Sequence, residues 1–92
     1  MSMTKKLEEE IGHAIDKART VALVEVRDDD IIVTVPGTSY TVTYYKPTKS
    51  AQLLARCIAE EDDSRASISL SEFLALAWRL ANDRARELGW IA

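Results

Sequence analysis

Three short runs rich in β-branched and aromatic residues dominate the middle of the chain: Val21 to Arg27, Ile31 to Val35 and Tyr40 to Tyr45. Asp28-Asp29-Asp30 separates the first two and Pro36-Gly37 the second two. Proline fixes φ near −65° and glycine accepts positive φ, so Pro36-Gly37 fits the two central positions of a type II turn. Side chains alternate faces along a strand, and facing residues across a hairpin have a constant sum of residue numbers. Any odd sum places Ala22, Val24 and Val26, Ile31, Val33 and Val35, and Tyr40, Val42 and Tyr44 on one face. That face is wholly apolar or aromatic. The other carries Glu25, Arg27, Thr34, Thr41, Thr43 and Tyr45, with Val21, Leu23 and Ile32 as apolar exceptions. The pattern predicts a three-stranded antiparallel meander with one packed face, and the exceptions predict partial cover on the other.

Helical spacing flanks this meander. Leu7, Ile11, Ala14, Ile15 and Ala18 recur at steps of three and four, which predicts a helix from Lys5 to Arg19. Ala51, Leu54, Ala55 and Ile58 form a second stripe, with Leu53 and Cys57 beside it, predicting a helix from Lys49 to Glu61 capped by Thr48 or Ser50. Glu60-Glu61-Asp62-Asp63 would then sit at the negative end of that helix, so residues 62–66 are read as a solvated loop. The third helix has the clearest signals. Ser69 and Glu72 match a capping box, and Ile68 and Phe73 stand at the hydrophobic staple positions. Leu70, Phe73, Leu74, Ala77, Leu80, Ala81 and Leu88 are its predicted inward stripe, Gly89 its C′ residue, and Trp90 folds back on Ala81 or Ala85. The predicted class is α+β, a single domain over residues 1–92, in the order α-β-β-β-α-α.

The stretches PGTSYTVTYYKP at 36–47 and LSEFLALAWRLANDRARELGWI at 70–91, with LLAR at 53–56, resemble a family of short uncharacterised bacterial proteins. The resemblance implies a bacterial cytoplasmic domain and carries no activity, ligand or catalytic residue with it.

Charge narrows the function classes. The net charge is −3 and neither half of the chain is basic, which argues against nucleic-acid binding, where phosphate neutralisation supplies most of the affinity. The single cysteine, Cys57, excludes an intrachain disulfide. The charged N-terminal decapeptide lacks the apolar core of a signal peptide, and no apolar run approaches the length of a membrane span. Cytoplasmic location is the resulting expectation.

No residue constellation reaches a catalytic, metal or cofactor assignment. His13 is expected on the solvent side of the first helix. Cys57, ahead of four acidic residues, is in a setting that disfavours a thiolate, and reads as a small packed residue. Asp28–Asp30 and Glu60–Asp63 lack the spacing and glycine of a calcium loop. One comparison follows from element order: α-β-β-β-α is that of double-stranded RNA-binding domains, and Lys46, Lys49 and Arg56 fall near the phosphate-contacting start of the second helix. Asp28-Asp29-Asp30 and Glu8-Glu9-Glu10 would repel RNA. The sequence is therefore read as a non-enzymatic protein-binding or self-assembly module, a homodimer, with Trp78, Trp90, Ile91, Ile32 and Tyr45 as interface candidates.

Overall fold

A computed structural model describes residues 11–16 and 20–92. Five antiparallel strands lie in the order of the chain: β1 (Ile11–Asp16), β2 (Thr20–Arg27), β3 (Asp30–Thr34), β4 (Thr41–Tyr45) and β5 (Leu54–Arg56). Among the described residues one helix, α1 (Leu70–Glu87), follows. The α+β class and the antiparallel meander hold, and the order differs at two places.

The meander has the predicted parity. Val24 pairs with Val33 and Val33 with Val42, so the three share one face. On that face Ala22, Val24, Ile31, Val33, Val35, Tyr40, Val42 and Tyr44 are buried. The β2–β3 connection is a two-residue turn, because Arg27 pairs with Asp30. Asp28 has φ +55° at its first position, as turns that match strand twist require. The β3–β4 turn is the predicted type II turn. Gly37 has φ +79°, and the Thr38 N–H donates to the Val35 carbonyl at 3.2 Å.

The helix predicted over 5–19 is a strand where it is described. Ile11–Asp16 pairs with β2, from Ile11 opposite Glu25 to Asp16 opposite Thr20. Residues 5–10 and 17–19 of that prediction lie outside the described residues. Gly12 costs a helix interior about 1 kcal/mol relative to alanine, and Ile11 and Ile15 are β-branched. The open edge of β2 offers such a weak helix a ladder of hydrogen bonds instead.

The helix predicted over 49–61 is likewise absent. Ser50 does not cap a helix; its hydroxyl accepts from the Gln52 N–H at 3.0 Å, and its own N–H donates to the Pro47 carbonyl at 3.1 Å. Such local side-chain bonds compete with helix formation. The chain then pairs with β4 through Leu54 to Arg56, and Cys57, at φ +54°, ends the strand. The predicted burial is inverted as well. Leu53 is buried, whereas Ala51, Leu54, Ala55 and Ile58 are exposed. Cys57 is exposed too, not a packed residue of a helix.

Helix α1 agrees with its signals in detail. Ser69 Oγ accepts from the Glu72 N–H at 3.2 Å, and Glu72 Oε1 accepts from the Ser69 N–H at 3.0 Å, completing the capping box. At the other end Gly89 has φ +78°, its N–H donates to the Arg86 carbonyl, and the Trp90 N–H donates to the Ala85 carbonyl. These two bonds are the Schellman closure. The inward stripe is Phe73, Leu76, Ala77, Ala81 and Ala85, with Leu70, Leu74 and Leu80 partly buried; Leu88 is on the exposed side. Ala77, Ala81 and Ala85, spaced by four, let the helix lie close over the sheet, mainly on β3.

Among the described residues no helix is long and apolar enough to cross a membrane.

Candidate interaction surface

The connection from β5 to α1 is built around Tyr40. Its ring is fully buried and stacks on Phe73 at 5.0 Å between centroids. Its hydroxyl donates to the Ile68 carbonyl at 3.0 Å and accepts from the Asp63 N–H at 3.2 Å. Asp63 is not a solvated loop residue, as its position after a predicted helix suggests. Its side chain is only 7% exposed and accepts from Arg65 Nη2 at 2.7 Å and from the Ser39 N–H at 2.6 Å. The Arg65 guanidinium, and after it the Ser39 and Arg65 N–H groups, hold this carboxyl well below the usual carboxylate range. Asp62 accepts from the Leu70 N–H at 2.6 Å and so satisfies a free donor at the positive end of α1.

Two sites of exposed hydrophobic character follow from this frame. The first is the β5 edge. Leu54 is 47%, Ile58 44% and Trp78 46% exposed. Trp78 leans on Tyr44 at 5.8 Å between ring centroids, and Tyr44 is the strand partner of Ala55. A groove of about 500 Å³ opens beside it, lined by Ala51, Gln52, Trp78, Arg79, Asn82 and Ile91 among others. Asn82 Nδ2 donates to the Trp78 carbonyl at 2.7 Å and holds that turn of the helix.

The second is the outer face of the sheet. Register places Leu23 beside Thr34, Ile32 between Glu25 and Thr43, and Tyr45 between Asp30 and Leu54. The apolar residues are interleaved with threonines and charges rather than joined into a patch. Arg27 pairs with Glu25 and Arg56 with Asp30, and the Arg56 guanidinium lies over the Tyr45 ring at 4.7 Å. The arginine contact on this face covers Tyr45, which is not one of the apolar exceptions.

The five predicted interface residues fall in three places. Trp78 and Ile91 line the groove beside β5. Ile32 and Tyr45 belong to the outer sheet face, and Trp90 packs against the core. Lys46 and Lys49 come together beside Trp90 in an adjoining hollow, with Lys46 Nζ donating to the Pro47 carbonyl at 3.3 Å, while Arg56 is held by Asp30. The helix start that would group these three does not form. His13 stands on β1 opposite Leu23, not on a helix. Among the described residues no three histidine, cysteine or acidic side chains gather as a metal site.

Leu54 and Ile58 escape sequence reasoning because helical spacing assigns them to a buried stripe. Tyr40 is partly legible. A tyrosine in an otherwise apolar row needs a hydrogen-bond partner for its hydroxyl, although the sequence does not say which.

The chain is thus a sheet-and-helix α+β domain with an exposed aromatic edge. Comparison with family models, with curated proteins and with solved structures gives no match.

Proposed function

We propose that this chain is a non-enzymatic protein-binding or self-assembly module of the bacterial cytoplasm, and that it works through the β5 edge. The observation that carries the reading is Trp78, which is 46% exposed and lines a groove with Ile91 next to the β5 edge, where Leu54 and Ile58 are exposed as well. Single exposed apolar residues are ordinary, but a tryptophan held in place at the wall of a groove has the character of a binding hot spot. Trp78 is also pre-organised: Tyr44 supports its ring, so little side-chain freedom is lost on binding. The bacterial and cytoplasmic parts of the reading rest on the family resemblance and the single cysteine.

The test is mass in solution by sedimentation velocity, from micromolar to millimolar protein. Wild-type chain is expected to self-associate. Trp78→Ser and Ile58→Ser should weaken association while leaving circular dichroism unchanged. Association unaffected by both substitutions would show that the edge is not the working surface.

A further inference from the structure

Resting on that reading of the β5 edge, we propose that its partner is a second copy of this chain, docked across a two-fold axis with the two edges antiparallel and the two Cys57 residues beside the axis.

The edge is polar in the sense of having two different ends. Helix α1 runs alongside β4 in the same direction, with Phe73 against Tyr40 and Trp78 against Tyr44. The segment that forms the edge runs the other way. Leu54 is opposite Tyr45, Ala55 opposite Tyr44 and Arg56 opposite Thr43, and the Ala59 N–H then donates to the Thr41 carbonyl at 3.0 Å. Asp63 reaches Ser39 and Tyr40. Trp78 and Arg79 therefore stand at one end, and Glu60 and Glu61 at the other. Four strand residues separate Tyr44 from Tyr40, about 13 Å at 3.3 Å per residue.

Charge follows the same division. Arg79 lies next to Trp78 and has no ionic partner among the described residues; the exposed Glu60 and Glu61 have none either. An isologous interface repeats each contact twice, once from each side. Antiparallel docking sets the Trp78–Arg79 end of each copy against Ile58, Glu60 and Glu61 of the other. It buries apolar residues against apolar residues and joins unpaired charges of opposite sign. Parallel docking would set Glu60 and Glu61 against their own copies, and like charges in register are costly. Continuation of the sheet across the axis does not explain the edge, because β5 is three residues long and Cys57, at φ +54°, interrupts its extended backbone. The contact is made by side chains.

The midpoint of the edge falls between Arg56, at the level of Thr43, and Ala59, at the level of Thr41. Cys57 lies there, exposed, and is the only cysteine of the chain. That makes it an unambiguous reporter. Full-length protein treated with copper–phenanthroline is expected to form a covalent Cys57–Cys57 dimer at concentrations where sedimentation shows the non-covalent dimer. Arg79→Glu should raise the dissociation constant about tenfold, as should Glu60→Lys with Glu61→Lys, and the three substitutions together should restore most of the affinity. Circular dichroism of each variant establishes that it is folded. A dimer that neither cross-links through Cys57 nor shows charge-reversal rescue overturns the two-fold arrangement and leaves an assembly module of different geometry. A chain that stays monomeric at millimolar concentration overturns both.

Discussion

Tyr40→Phe removes one oxygen atom from the centre of the molecule and leaves everything else in place. The ring stays stacked on Phe73 and the apolar burial is unchanged. What is lost is the pair of hydrogen bonds that ties the β5–α1 connection to the sheet: one donated to the Ile68 carbonyl at 3.0 Å and one accepted from the Asp63 N–H at 3.2 Å. The Ile68 bond is fully buried, so water does not readily replace the hydroxyl there. A buried backbone group left without a partner costs about 1–3 kcal/mol, and the part-buried Asp63 N–H adds less. The expected destabilisation is about 2 kcal/mol, measured by denaturant unfolding. For a domain of this size that corresponds to a fall of roughly 10 °C in midpoint temperature.

The mutation also makes a local prediction. Hydrogen exchange at the Asp63 amide should accelerate more than exchange at strand amides of β3, because the connection loosens before the sheet does. Tyr45→Phe is the control. Its ring is half-buried on the outer face and the change is expected to stay within about 0.5 kcal/mol. A Tyr40→Phe variant as stable as the Tyr45→Phe variant would refute the view that the hydroxyl is what fastens the connection.

Three further outcomes follow from the same geometry. Ser69→Ala should cost about 1 kcal/mol, and a double-mutant cycle with Glu72→Ala should show coupling, since each side chain caps the other's N–H. Gly37→Ala should cost about 1–2 kcal/mol from its φ of +79° alone, because a methyl group there meets nothing within 4 Å; denaturant midpoints compared with Gly37→Asn, which tolerates that conformation better, check it. The carboxyl of Asp63 is held below its unfolded range, so its contribution is fully present above the unfolded value near pH 4 and is lost as pH falls through the lower folded value. Asp63→Asn should therefore flatten the acid side of the stability–pH curve, measured by unfolding at a series of pH values from neutrality downward, and leave its neutral shape alone.

The parts of the fold that the sequence made legible are those whose information is local. The β-meander face is set by alternation within each strand, and one parity argument places eight of its residues correctly. Pro36-Gly37, the capping box at Ser69 and the glycine at position 89 each specify a backbone geometry through the chemistry of one or two residues. Burial within α1 was less legible: Leu76 is buried and Leu88 exposed, which the assigned stripe reverses. Asp62 and Asp63 were legible as charges but not as anchors. Their partners are the Leu70 N–H, Ser39 and Arg65, and the most distant of these is 24 residues away.

Both failed helices have one cause, and it bears on the candidate surface. A three-stranded meander has two open edges, each a row of unpaired N–H and C=O groups. Residues 11–16 and 54–56 carry helical spacing, but neither segment has enough helix-forming strength to outweigh a ready-made ladder beside it. Each becomes the strand that closes an edge, and side chains that a helix would have turned inward are distributed by the period of two instead. On the β5 side this leaves Leu54 on the outer face with Tyr45, and Ile58 exposed beyond the strand. Restoring helix strength should test that competition directly. Ser50→Ala with Cys57→Ala removes a turn-forming hydroxyl and replaces the left-handed residue with the best helix former. If pairing with β4 dominates, circular dichroism should show no added helix, and the cost should stay below about 1 kcal/mol, because Cys57 already carries a Cβ at φ +54°. A gain in helix content with unchanged stability would mean that local propensity, not the open edge, decides this segment, and the β5 edge would lose its structural basis.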